Sequence, residues 1–389
     1  MKRLFSLPLV FAFILLILTG CSSEPRHTIA EWDIIQKQRL DSIGKEVQYK
    51  AKVLEMVSEE KQDQEGARES TLQVIKVRIS NGPFKGEVVE AKNLVEADGV
   101  YNIEVSEGDQ IFILPEFDSQ ANIINSYVTD IVRDRYLIII TVLFISILII
   151  IGKLKGARAA ITLAITAAAV LKVFLPLVLK GYNPIMLAVA LGIVITMVTL
   201  LIISGFNRKT WSTIIGTSCG ILIGGTLALI FGRLANLTGL SSEEARMLAF
   251  IPQEITFDYR GILFAGIILA SLGAVMDVSM SISSSMYEIV RADPTIRRHD
   301  LISAGMNVGR DIIGTMSNTL ILVYIGSSLP LMLLFMAYDL PFIELINKDI
   351  IASEVIRALS GSMGLIIAIP VTVFVSAGMF GIKYTRRRD

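Results

Sequence analysis

Between residues 136 and 382 the chain repeats apolar stretches of about 20 residues, the length at which a helix crosses the hydrocarbon of a bilayer. The stretches fall at 136–152, 157–179, 184–205, 211–232, 261–281, 312–338 and 359–382. An amphipathic, re-entrant lead-in is expected just before the sixth. With 53% hydrophobic residues over 389 positions, the chain is too apolar for an ordinary soluble globular protein. The pattern predicts an α-helical polytopic membrane protein of about seven transmembrane helices. In front of it lies a small strand-rich domain.

Charge sets the orientation. Lys153, Lys155 and Arg158 follow the first stretch, Arg208 and Lys209 the third, Arg291, Arg297 and Arg298 the fifth, and Lys383 and Arg386 the last. Glu243, Glu244, Asp339, Glu344, Asp349 and Glu354 fall in the alternate loops. Basic residues stay on the cytoplasmic side, so all these loops agree with seven spans, N-terminal domain outside and C-terminus inside. The expected location is the bacterial plasma membrane. Residues 22–135 carry 22 acids against 14 bases, and an acidic front domain argues against nucleic acid as a partner.

Lys2 and Arg3, the apolar run Leu4–Leu18 and the ending Leu18-Thr19-Gly20-Cys21 read as a secretory signal with a lipobox-like end, which predicts lipidation of Cys21. The alternative is an uncleaved signal anchor. The domain plan is then a signal at 1–21, a polar linker at 22–44, an extracytoplasmic strand-rich domain at 45–118 and a linker at 119–135. The transmembrane body covers 136–382 and a basic cytoplasmic tail 383–389. Short alternating runs such as TLQVIKVRIS and DQIFILPEF, with the turn signal Asn81-Gly82-Pro83, predict a β-barrel-like domain of the OB or SH3-like kind. Its expected use is a structural cap or a surface on which a protein partner docks.

The most informative polar residues sit where hydrocarbon is expected. Asp277, Ser281, Ser284 and Glu288 follow i, i+4, i+7, i+11 and share one helical face. Asn307, Asp311, Gly314 and Asn318 repeat the spacing, with Arg310 beside them. An ionisable group at the centre of a span costs about 2.5–3.5 kcal/mol on insertion scales, so it faces a partner or a wet cavity. The expectation is a substrate or ion path through Asp277, Ser281, Asn307, Arg310, Asp311 and Asn318, with Asp277 paired to Arg310. A purely structural ion pair is the alternative.

Other positions carry lesser signals. Glu254, Asp258 and Lys172 are candidates for an outer gate. Gly216, Gly220 and Gly224 form a small-residue stripe suited to close helix packing. Pro176 and Pro370 interrupt their helices' hydrogen-bond ladders. Ser241-Ser242-Glu243-Glu244 reads as a helix N-terminus. Two cysteines and two histidines exclude a His/Cys metal centre or a Ser–His or Cys–His enzyme within the membrane. An aspartyl enzyme built on Asp277 and Asp311 is disfavoured, because Arg310 would hold both ionised.

Three segments carry a resemblance: LAFIPQEITFDYRGILFAGIILASLGA (Leu248–Ala274), GAVMDVSMSISSSMYEI (Gly273–Ile289) and AGMNVGRDIIGTMSNTLILVY (Ala304–Tyr324). Through them the chain resembles the YibE/F-like family of bacterial multi-pass membrane proteins, over the body and the strand-rich domain. The resemblance implies a membrane permease and carries over no substrate, mechanism or cofactor. The functional expectation is a transport component, passive or ion-coupled, that moves a small solute or ion, touches membrane lipid and is not an enzyme. The alternative is a non-transporting assembly or sensor protein.

Overall fold

The computed structural model describes residues 47–62, 70–96, 102–251, 257–338 and 340–381. Cys21, the segments 1–21 and 22–44, Glu254 and the tail 383–389 lie outside the described residues. The chain divides into two compact units, 1–142 and 143–389.

The first unit holds a closed five-stranded barrel: β1 (Tyr49–Gln62), β2 (Ser70–Ile79), β3 (Val88–Glu96), β4 (Gln110–Phe117) and β5 (Ile123–Ile131). Its order is β1-β2-β3-β5-β4, and β1 returns to pair with β4. One parallel contact, Lys92 beside Tyr127, joins β3 to β5, while the other pairs are antiparallel. That order is of the OB kind, not the SH3-like one. β1 serves two neighbours because register shifts at Val53/Glu55 and Met56/Ser58 bend it. Alternation puts Tyr49, Ala51 and Val53, then Ile75, Val77 and Ile79, then Ile111 and Ile113 into the core, closed by Phe84. Gly82 turns with φ +74, and a Cβ there would run into the Tyr49 ring.

One boundary needs correction. β5 lies inside 119–135, the segment expected to be a linker. Asn125, Ser126, Thr129 and Asp130 break its apolar alternation, and Ser126 points into the core fully buried. Pairing with β4, from Ile111 opposite Ile131 to Phe117 opposite Ile123, makes it a strand where its own pattern does not. Asp118 shapes the turn between them: Oδ1 accepts from the amides of Gln120 and Asn122, each at 2.8 Å, and Oδ2 from Asn122 Nδ2 at 2.9 Å. The Asn122 side chain foremost, with the turn amides, holds this carboxyl below the usual carboxylate range.

The helices are α1 (Asp134–Ala169), a π-helical turn (Val170–Phe174), α2 (Leu175–Leu179), α3 (Pro184–Ser204) and α4 (Arg208–Leu234). Then come α5 (Glu243–Met247), α6 (Tyr259–Ala292), α7 (Arg298–Ser327), α8 (Leu329–Ala337), α9 (Phe342–Ile346) and α10 (Asp349–Gly381). Among the described residues, five helices are long and apolar enough to cross a membrane, or six when α7 and α8, bent by 58°, count as one. The first of the five runs from Asp134 to Leu179, and 46 residues would be about 69 Å of helix, over twice a bilayer's hydrocarbon. It is broken at Lys153 (φ 50, ψ −128), and Gly156 lies against the Leu148 carbonyl, so the axis turns sharply there. The break falls between the expected stretches 136–152 and 157–179.

Helix ends differ from the apolar boundaries. α6 runs on to Ala292, α7 starts at Arg298 as one helix with what was expected as a re-entrant lead-in, and α10 starts at Asp349, ten residues before the expected 359. Caps explain others: Asn183 accepts from the amides of Ile185 and Met186, Asn207 from Thr210, and Ser242 from Ala245. The core of this unit gathers Val275, Ile282 and Met286 of α6, Leu301 and Leu320 of α7, and Leu365, Ile369 and Val373 of α10.

Candidate functional site

α6 and α7 run antiparallel. Gly305 sits against Met286, and a Cβ on Gly309 would be 3.7 Å from Ile282 Cδ1. The faces used in this contact are the buried ones, Val275, Val278, Ile282 and Met286 on α6 and Leu301, Gly305 and Gly309 on α7. The polar stripes therefore point elsewhere. Asp277, Ser281 and Glu288 are exposed on α6, and Asn307, Arg310, Asp311, Gly314 and Asn318 are exposed on α7. The spacing that put each set on one face holds in the structure except at Ser284, which is half-buried.

The pairing differs from expectation. Among the described residues no ion pair joins Arg310 to Asp277 or to Asp311. Arg310 Nη1 instead donates to Asn307 Oδ1 at 2.9 Å. Helix register gives the reason. Gly309 meets Ile282, so Arg310 is level with Ser281–Ile282, while Asp277 lies five residues along α6 from that contact, about 7.5 Å away in height. Asn307, one turn back on the same helix, is close enough to take the guanidinium. Arg310 thus points along its own helix and away from Asp277.

This face is built differently from the others. The outward positions of α10 include Val355, Leu359, Ile366 and Phe374, large and apolar as lipid requires. Those of α6 include Gly266, Ala270, Gly273, Asp277 and Ser281, with Tyr287 and Glu288 near its C-terminal end. A Cβ added to Gly266, Gly273 or Gly314 would meet nothing within 4 Å, so no packing among the described residues accounts for their size. Inside the helical unit the opposite holds. Gly216 lies against Thr372, Gly220 against Ala368 and Val275, each at 2.7 Å from its ideal Cβ, and Gly224 against the Ser360 carbonyl at 3.1 Å. The three glycines bring α4 and α10 backbone to backbone, with Gly364 facing them from α10.

The gate candidates separate. Glu254 lies outside the described residues. Asp258 is the N-cap of α6, its Oδ1 accepting from Gly261 N at 2.8 Å, so capping engages the carboxylate. Lys172 is exposed in the π-helical turn, two residues after its start and four before Pro176, whose missing amide opens the ladder there.

A charged pair on α10 is not among the residues expected from the sequence. Arg357 Nη1 donates to Glu354 Oε1 at 2.8 Å, with the two side chains 29% and 21% exposed. Glu354 Oε2, Arg357 Nε and the buried Ser353 Oγ have no protein partner among the described residues. Gly361, one turn on, lies 3.8 Å by its ideal Cβ from the hydroxyl of buried Tyr324. The signal available was the i, i+3 spacing of opposite charges, which reads equally well as a solvated helix start. Hydroxyls line the contact of α4, α6 and α10: Thr372 Oγ1 donates to the Ala368 carbonyl at 2.7 Å and lies 3.2 Å from Ser279 Oγ, and Ser283 Oγ donates to the Lys209 carbonyl at 3.1 Å. The Ser283 bond joins α6 to α4 and the Thr372–Ser279 contact joins α10 to α6, which glues the helices together. Among the described residues no three His, Cys, Asp or Glu side chains gather as metal ligands.

Residues 140–381 match the family model described as YibE/F-like protein, and residues 46–131 match the YibE/F family N-terminal domain. Comparison with curated proteins and with solved structures gives no match.

Proposed function

The chain belongs to the YibE/F-like family of membrane proteins, and from that premise we propose that it is a permease or transport component for a small solute or ion, passive or ion-coupled. In this reading it crosses the bacterial plasma membrane several times, with the barrel outside, the C-terminus inside and no catalytic chemistry of its own. The observation that carries it is the outward face of α6 and α7. Asp277, Ser281, Asn307, Arg310, Asp311 and Asn318 are exposed on helices of lipid-crossing length, and the large apolar side chains exposed on those helices, Tyr287 on α6 and Leu322, Val323 and Ile325 on α7, lie towards the helix ends. Hydrocarbon does not solvate such a surface, so water or a hydrated solute lines it. Arg310, charged at every physiological pH, supplies a fixed positive point on that wall, and Asp277 and Asp311 supply carboxylates that attract a cation.

The full chain in proteoliposomes, screened with a panel of inorganic ions and small solutes, tests this. The wild type is expected to raise the flux of at least one of them. Asp277→Asn and Arg310→Gln, at equal reconstituted amounts, should each lower it about tenfold or more, the effect of losing about 1.4 kcal/mol of stabilisation. Flux through the wild type equal to that of empty vesicles across the panel refutes the reading. A second reading, a non-transporting assembly or sensor protein, draws on the barrel, where Val88, Leu94 and Tyr127 are exposed on β3 and β5.

A further inference from the structure

We propose that a second copy of this chain docks on the outward face of α6 and α7, so that Arg310 of each copy pairs with Asp311 of the other. This rests on reading that face as the wall of a polar path, and the second copy closes the wall.

The first argument is charge. Arg310 and Asp311 are adjacent on α7, both exposed, and of opposite sign. Two copies related by a two-fold axis along the membrane normal keep equal depths. Residue i of one then meets j of the other while j meets i. Adjacent opposite charges are what such an axis needs: two Arg–carboxylate pairs form at one height, and the planar guanidinium suits both. Asn307, which now holds the Arg310 guanidinium at 2.9 Å, keeps the side chain on the outward face, where a partner finds it.

The second argument is shape. Gly266 and Gly273 on α6 and Gly314 on α7 have open space where a side chain would stand. The glycines that pack α4 against α10 are filled by their neighbours, so the chain uses small residues where backbones approach. On the α6–α7 face the same device is present and nothing among the described residues occupies it. Small residues admit a neighbouring backbone, and lipid-facing positions elsewhere on α10 carry Leu359, Ile366 and Phe374 instead.

The test uses two differently tagged full-length copies in one membrane, solubilised in mild detergent and recovered through one tag. Wild-type copies are expected to retrieve each other. Arg310→Asp gives a copy with two acids at the contact, and Asp311→Arg gives one with two bases. Each variant alone should retrieve itself about tenfold less than wild type, because like charges meet. Co-expression of the two should restore recovery, since every contact is then opposite in sign. Restoration also shows that both variants fold. Gly273→Leu, which clashes with nothing in its own chain, should lower self-recovery with unchanged abundance and melting. Failure of wild-type copies to retrieve each other overturns the proposal. So does recovery that ignores both charge variants, or cross-linking of residue 310 to helix α1 of the same copy. The readout is association and not flux, so the transport reading and this one fail separately.

Discussion

Arg310 illustrates what a residue's spacing reveals and what it leaves open. Its place on the polar face of α7 follows from helical periodicity, a property of one helix, and was legible. Its partner depends on the register between α6 and α7, set by Gly305 on Met286 and Gly309 on Ile282, which no single-helix pattern encodes. Glu354 and Arg357 show the same limit, because partial burial under α7 and not spacing makes them unusual. Glu354→Gln or Arg357→Gln should each leave one charge unpaired and lower yield and melting temperature in detergent. The cost is expected below the ~3–5 kcal/mol of a fully buried pair, since both side chains are partly exposed. The double substitution should recover part of the loss in the same melting assay. In the barrel, Asp118 has its folded pKa below the unfolded value, so its contribution is present above the unfolded pKa and lost as pH falls through the folded one. Asp118→Asn should therefore lower barrel resistance to proteolysis at neutral pH and have less effect at the acid end. Equal effects at both ends would contradict the assignment.

At the scale of elements, apolar length and charge placed most of the membrane-length helices, and alternation placed strands such as β2 and β4. β5 was missed because its strand character comes from pairing to β4, with the polar Ser126 fully buried. The start of α10 was missed because its charges read as a loop, whereas pairing at i, i+3 allows the helix to continue through them. The glycine stripe of α4 was legible, and its neighbour was not, since Gly364 lies some 140 positions away in sequence. An ideal Cβ on Gly364 comes within 2.8 Å of the Gly220 carbonyl oxygen and 3.0 Å of Gly224 Cα, both backbone atoms that cannot swing aside. Gly364→Val should force α4 and α10 apart at a cost of about 1–3 kcal/mol, read as a lower melting temperature. Gly266→Leu, with open space around it, should melt like wild type.

For the whole molecule, the chain combines an acidic OB-type barrel with a helical unit whose charged face is turned outward. Reporter fusions test the orientation proposed for it. Fusions at Asp349 should score outside, and those at Arg298 and Asp389 inside, with an outside signal at Arg298 contradicting the arrangement. The central claim is that water, not lipid, lies against the outward face of α6 and α7. Its most direct measurement is labelling with a charged, membrane-impermeant maleimide in membranes of the full chain carrying Cys21→Ser and Cys219→Ser. Single cysteines at Ser281 and Asn318 report the polar face, and single cysteines at Leu359 and Phe374 report a lipid-facing one. The account predicts labelling at Ser281→Cys and Asn318→Cys, and none at Leu359→Cys or Phe374→Cys. Four positions equally silent in the membrane, yet reactive once detergent is added, would contradict it.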